Sequence, residues 1–339
     1  MMDFFTRVQS SFMLWKHGIP LPSTAPSTKF QSWYTFDPIQ KWIPFVRQSD
    51  TNPNDSTDSE PNEASNESES PLALLTWNID VTSPRTEGRV TDIITYITGL
   101  GQIDIVFLQE VSKLALQQIL KDDRVRELWL SSQYDNTEWG NQSFTTVTLL
   151  SKARFTCGQG MQCPTIGPIG KIKFPSHFAR DALCCDISVP SHQKPTSSTT
   201  SALTRIRLVN VHLDSLPITP SHRPQQISIV SSLLRSAGQG LIAGDFNPVL
   251  DEDVDLLEKN DLVDAWTSLR PGESGFTWGL DGEQPFPPIR LDKVGTIGLR
   301  AHRINTLEPK RLEGPQHSEG CRLWSDHHGL LYYFSPTDE

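Results

Sequence analysis

The alternation of apolar and polar residues changes character near residue 71. Beyond it, short uninterrupted apolar runs recur between polar turn formers: Leu72 to Thr76, Ile105 to Leu108 and Leu241 to Ala243. Such runs suit strands covered on both faces. Phe144 to Leu150, Ala182 to Val189, Ile206 to Leu213 and Leu330 to Phe334 are further strand-like stretches. Asp92 to Leu100, Leu114 to Leu120 and Pro224 to Leu234 read as helices. Pro190 to Ser201, rich in Ser, Thr and Pro, reads as a long hairpin loop. Many strands and few helices, in mixed order, predict an α/β domain with two sheets packed face to face and helices outside.

The first 70 residues follow other rules. Phe4, Phe5, Val8, Phe12 and Trp15 recur at helical spacing, and Trp33, Tyr34, Phe36, Trp42, Ile43 and Phe45 crowd a short stretch. Residues 1–48 therefore form an aromatic-rich arm, too apolar for a solvated tail, which is expected to pack on the domain that follows. Residues 49–70 hold seven acids and no Lys or Arg among Ser, Asn, Thr and Pro. That composition buries too little apolar surface to offset the entropy of ordering, so it predicts a disordered linker. Residues 71–335 are the expected globular α/β domain.

The linker alters the charge reading. The whole chain is −10; without those seven acids, 33 acidic face 30 basic residues, a net of −3. A broad basic surface for gripping nucleic acid is excluded, and any such substrate needs a local cationic patch. The five cysteines have no zinc-ribbon or redox spacing. Their odd number and the absence of a signal peptide point to a reducing compartment and not to secretion. No apolar run is long enough to span a bilayer. No obligate protein partner is evident.

The informative polar residues stand where strands are expected to end. They fall in Thr76-Trp77-Asn78-Ile79-Asp80, Gln109-Glu110, His212-Leu213-Asp214-Ser215, Gly244-Asp245-Phe246-Asn247, Arg290-Leu291-Asp292-Lys293 and Ser325-Asp326-His327-His328. Scaffolded strand ends favour binding residues. Each segment alone has a blander reading: a surface carboxylate, a turn or a helix cap. The combination and its order are specific.

In that combination the chain resembles the endonuclease/exonuclease/phosphatase superfamily over residues ~71–335. Phe144-Thr145-Thr146, Phe174-Pro175-Ser176 with Arg180, Phe276-Thr277-Trp278 and the stretch from Ser325 to Leu331 add a likeness to its 5′-tyrosyl-DNA phosphodiesterases. The resemblance implies a four-layer αββα sandwich, two packed mixed β-sheets flanked by helices, with one metal-assisted phosphate site. It implies Mg²⁺, with Mn²⁺ as an alternative, because hard cations take oxygen ligands. Glu110, Asn78 and Asp326 are then the metal residues. Asp245 handles the proton of the attacking water, and Asn247 and Asn78 donate to phosphate or water. His212 and His327 donate to the phosphoryl oxygens, and Asp292 fixes His327. Arg180, Ser215, Trp278 and Lys293 are substrate contacts, with Trp278 divided between stacking on a nucleobase and ordinary core packing.

The implied activity is hydrolysis of 5′-tyrosyl-DNA bonds to leave a 5′-phosphate. The partner is a single-stranded or frayed DNA 5′ end carrying a tyrosyl adduct, in the nucleus and secondarily the cytoplasm. Two readings compete. One is another activity of the superfamily: an RNA exonuclease or deadenylase, or an inositol-phosphate or sphingolipid phosphoesterase. The other is a scaffold that lost catalysis, against which Glu110, Asp245, Asp292 and His327 stand. Two departures matter. Pro248 to Asp253 is apolar and then acidic where basic residues are expected, and no ubiquitin-binding module stands at the amino end.

Overall fold

The computed structural model describes residues 28–46, 70–139, 142–156, 164–190, 203–282, 286–312 and 323–337. The apolar positions between Phe4 and Trp15, the acidic segment apart from Ser70, the segment after Pro190, and Cys157, Cys163 and Cys321 lie outside the described residues.

In chain order the strands are β1 (Thr28–Gln31), β2 (Tyr34–Phe36), β3 (Trp42–Pro44), β4 (Leu72–Asn78), β5 (Ile105–Ser112), β6 (Trp129–Ser131), β7 (Phe144–Ser151), β8 (Thr165–Lys173), β9 (Asp181–Pro190), β10 (Leu203–His212), β11 (Gly240–Asp245), β12 (Val263–Asp264), β13 (Asp292–Ile297), β14 (Leu299–Leu307) and β15 (Gly329–Pro336). The helices are α1 (Thr86–Gly99), α2 (Lys113–Lys121), α3 (Asp123–Leu128), α4 (Lys152–Phe155), α5 (Arg223–Ala237) and α6 (Ala265–Leu269). One sheet runs β1-β8-β9-β10-β11-β13-β12, the other β14-β15-β4-β5-β7-β6-β2-β3. The expected arrangement of two mixed sheets with flanking helices is present.

Alternation along the central strands builds three apolar layers. Leu74, Ile105 and Phe107 of one sheet meet Leu183, Leu208 and Leu241 of the other between the sheets. Leu75, Trp77 and Val106 point outward onto Ile93 and Ile97 of α1 and Ile119 of α2. Val209, Val211 and Ile242 point outward onto Ile227, Val230 and Leu234 of α5. A strand buried on both faces must be apolar at successive positions, which is why these runs were legible. Each such side chain contributes about 1.5–3 kcal/mol when fully buried.

The sheets also share a buried polar seam. The Gln109 side-chain amide donates to Thr76 Oγ1 and Asn210 Oδ1, and that of Asn210 donates to the Val147 carbonyl. These bonds tie β4 and β5 to β10 behind the strand ends and fix the register of one sheet on the other.

The arm contributes strands to both sheets. β1 pairs with β8, while β2 pairs with β3 and β6. Some elements depart from the sequence pattern. The helix expected from Asp92 begins at Thr86, because Arg89 is buried in its first turns for a polar reason described below. β8 was not expected, since Gly167, Pro168 and Gly170 break its apolar run; a register shift between Ile166 and Ile169 accommodates them. β14 is an edge strand with half its surface polar, and it carries no buried run to read.

Candidate active site

The topology explains why distant segments meet. Strands β4 and β5 are parallel neighbours, and so are β10 and β11. Their carboxyl ends lie at one edge of the two sheets. The antiparallel neighbours β13 and β15 begin at that same edge, because they run the other way. Asn78, Glu110, His212 and Asp245 thus arrive at strand ends, Asp292 at a strand start, and Asp326 and His327 just before one. Binding sites in open α/β sheets form at such carboxyl edges.

Backbone conformation aims the side chains. Glu110 has φ of 57° and lies where β5 slips register against β7 between Leu108 and Val111. This bulge turns the carboxylate out of the ladder; its Oε2 accepts from the Val81 amide at 2.8 Å. Gly244, with φ of 139°, could not be replaced: a Cβ there would stand 2.0 Å from the Val211 carbonyl oxygen. It lets β11 pass close to β10 and delivers Asp245 next to His212. Asn247 follows with φ of 46°, its amide donating to Asp245 Oδ1 at 3.0 Å.

Asp245 is the centre of the cluster. Its Oδ2 accepts from Asn78 Nδ2 at 3.0 Å and lies 3.5 Å from His212 Nε2. Burial, with Asp292 and Glu110 nearby, pushes its carboxyl up to about 7 against the pull of His327 and Asn78. Burial also raises Glu110 and Asp326. His327 Nδ1 is 2.8 Å from Asp292 Oδ2. Burial alone would lower this imidazole, but Asp292, by charge and hydrogen bond, with Asp245 and Asp326, holds it well above the ordinary histidine range. His212 moves the other way: burial and then the charges of Arg180 and His327 keep it neutral. Among the described residues neither of its ring nitrogens has a hydrogen-bond partner. A buried donor left open in this way is available to a ligand oxygen.

Beside His212, the Phe144 ring stacks at 5.8 Å, and the Arg180 guanidinium lies 4.8 Å from the centre of that ring. Arg180 donates to Ser215 Oγ at 2.8 Å. Ser176 and Asp214 brace this corner: the Arg180 amide donates to Ser176 Oγ at 2.9 Å, and Ser176 Oγ donates to Asp214. On the opposite side, Trp278 Nε1 donates to Asp326 Oδ2 at 2.9 Å and the ring is half-buried. That hydrogen bond makes it a wall of the site, which differs from an ordinary core tryptophan.

Asn78 stands between the carboxylates: its amide nitrogen donates to Asp245 Oδ2, and its Oδ1 accepts from the Asp80 amide at 3.0 Å with a lone pair left over. One sequence expectation is corrected, that for Lys293. Lys293 is not at the site. It follows Asp292 on a strand, so it points to the other face, where its Nζ donates to the Val254 carbonyl at 3.1 Å. The acidic stretch after Asn247 is partly structural as well. Asp253 is buried and pairs with Arg223 at 2.7 Å, and Arg223 in turn donates to the carbonyls of Asp214 and Leu216.

Sequence reasoning missed Arg89. Its buried guanidinium donates to the carbonyls of Ile79, Asp80, Ser83, Pro84 and Trp324. It therefore clamps the loop that meets Glu110 to the segment that leads into Asp326 and His327. A signal existed only in context: an Arg inside an otherwise apolar helical face.

A hard dication fits this set. Mg²⁺ keeps several waters and takes one or two carboxylates. Glu110 and Asp326 supply such groups, and their raised carboxyl pKa values reflect negative charge held out of water that a cation would relieve. Among the described residues no group of three or more His, Cys, Asp or Glu is placed to hold a metal ion.

No family model matches the chain. Human tyrosyl-DNA phosphodiesterase 2 is 24% identical over 279 residues, covering 78% of this chain and 68% of that protein. The D. rerio tyrosyl-DNA phosphodiesterase 2 structure complexed with single strand DNA product superposes with a TM-score of 0.59 at 20% identity, over 79% of this chain and all of that one. An endonuclease/exonuclease/phosphatase structure from Bacteroides vulgatus gives 0.54 at 15% identity, again over 79% and 100%. The chain has the αββα fold of that superfamily, and within it resembles tyrosyl-DNA phosphodiesterase 2.

Proposed function

We propose that this chain is a Mg²⁺-dependent phosphodiesterase that hydrolyses 5′-tyrosyl-DNA bonds and leaves a 5′-phosphate, a DNA-repair reaction of the nucleus. The observation that carries the reading is the convergence of Glu110, Asp245 and the Asp292–His327 pair at one strand edge, with Arg180 and Ser215 alongside.

A bound Mg²⁺, held by Glu110 with Asp326 beside it, would neutralise phosphate charge. Asp245 accepts the proton of the attacking water, a task suited to a carboxyl held near 7. Asn78 and the Asn247 amide keep that carboxylate in place. His327, kept protonated by Asp292, donates through Nε2 to a phosphoryl oxygen as charge develops, and His212 offers a second donor. The leaving phenolate has a conjugate-acid pKa of ~10, so it departs without a strong acid. Arg180, a cation at all working pH values, stands where it can stabilise that oxygen. The half-exposed face of Trp278 on the other flank suits a base of the DNA strand.

The test is product analysis on a 5′-tyrosyl oligonucleotide, poly(A) RNA and inositol phosphates, with Mg²⁺ and with a chelator. The reading expects a 5′-phosphate oligonucleotide and free tyrosine, lost on chelation. Release of adenosine monophosphate or inorganic phosphate instead would assign another superfamily activity.

A further inference from the structure

Phe144, Thr146 and Thr148 alternate along β7 and so share its inner face. Thr148 Oγ1 accepts from Asn210 Nδ2 at 3.3 Å, and the Phe144 ring stacks on His212 at 5.8 Å. Asn210 and His212 are likewise two residues apart on β10. Thr146 therefore stands between those two contacts, beside the His212 ring. It is 3% exposed, and among the described residues its hydroxyl has no hydrogen-bond partner, like the two ring nitrogens of His212. Thr146 and His212 both line a cavity of 510 Å³ that is wide enough for water.

The two nitrogens of the ring meet different surroundings. Asp245 Oδ2 lies 3.5 Å and Glu110 Oε1 3.8 Å from Nε2. Ionised carboxylates only accept, so Nε2 carries the proton of the neutral imidazole. Nδ1 then holds a lone pair, and a buried lone pair without a donor is costly. We infer that Thr146 is a positioning residue for the proposed hydrolysis: its hydroxyl donates to His212 Nδ1 through one water, which keeps Nε2–H aimed at a phosphoryl oxygen. The inference rests on the phosphodiesterase reading above and deepens it, by naming what makes the second histidine a donor. Thr146 itself touches no substrate in this role. Without its hydroxyl the ring can turn over or carry its proton on Nδ1, and the donor is lost.

The test is nitrogen NMR on the full chain with isotope-labelled histidine; His212→Gln identifies the His212 signals by removing them. In the wild type Nδ1 should resonate as a lone-pair nitrogen that accepts a hydrogen bond, and Nε2 as a protonated one. Thr146→Val keeps the shape of the side chain without the hydroxyl. It should move the Nδ1 signal toward that of an unbonded lone pair, or divide the ring between tautomers. Turnover on a 5′-tyrosyl oligonucleotide should fall by about tenfold or more with KM unchanged, up to the ~10²-fold that loss of a whole donor costs. Thr146→Ser, which keeps the hydroxyl, should restore both readouts. In the His212→Gln background Thr146→Val should cost little further, since the amide has no tautomer to fix. A proton on Nδ1 in the wild type, a signal that Thr146→Val leaves unmoved, or an equal loss of turnover with and without His212 overturns the inference. So does a signal moved by Arg180→Met and not by Thr146→Val, since the guanidinium would then be the donor. The nitrogen signals are read without substrate. Failure to cleave any tyrosyl bond therefore removes the substrate reading and leaves the placing of His212 by Thr146 to be decided by those signals.

Discussion

Asn78 and Glu110 at the ends of β4 and β5 face His212 and Asp245 at the ends of β10 and β11. Each sheet offers one parallel strand pair, and each pair ends in one carboxylate and one other polar side chain. Their surroundings differ. The Glu110 side chain is 18% exposed, on a bulge that swings it toward solvent, whereas Asp245 is 2% exposed behind Gly244 and ringed by donors. An ion that keeps water needs the first environment. A base poised near neutral pH needs the second. On the proposed reading, one architecture delivered twice separates two carboxylate roles by burial.

The comparison can be broken at either member. Asp245→Asn should lower turnover by ~10²–10⁴-fold, because an amide cannot accept the water's proton; single-turnover kinetics at saturating Mg²⁺ measure this, and a loss of less than tenfold would remove the role. Glu110→Gln should lose most activity at low Mg²⁺ and regain part of it at high Mg²⁺, since a neutral oxygen binds a hard cation more weakly. The glutamine oxygen can still accept from Val81, so the melting temperature should hold. Full activity at low Mg²⁺ would contradict the assignment. Arg89→Met should destabilise by about 3–5 kcal/mol, since five buried carbonyls lose their donor; denaturant unfolding gives the value. Lys293→Met should change turnover by less than about twofold, because the buried side chain bonds Val254 on the face away from the site.

The site was legible where chemistry and strand patterning coincided. Glu110, His212 and Asp245 close apolar runs whose ends could be read, while Asp292 and His327 stand where antiparallel strands begin, which brings all five to one edge. Lys293 was misplaced because a motif read as a string ignores the alternation that sends neighbouring strand residues to opposite faces. The roles of Gln109 and Asn210 were invisible because their partners lie far away in sequence, and that of Arg89 because it bonds backbone carbonyls, which no residue pattern marks. β1 and β8 were hidden by polar alternation and by Pro168.

The most direct measurement of the account is the ratio of turnover efficiencies on matched oligonucleotides, one with a 5′-tyrosyl group and one with an RNA 3′ end or an abasic site. The account predicts at least about a tenfold preference for the tyrosyl ester, or ~1.4 kcal/mol in transition-state stabilisation. Equal efficiencies, or a preference for the other substrate, would contradict it.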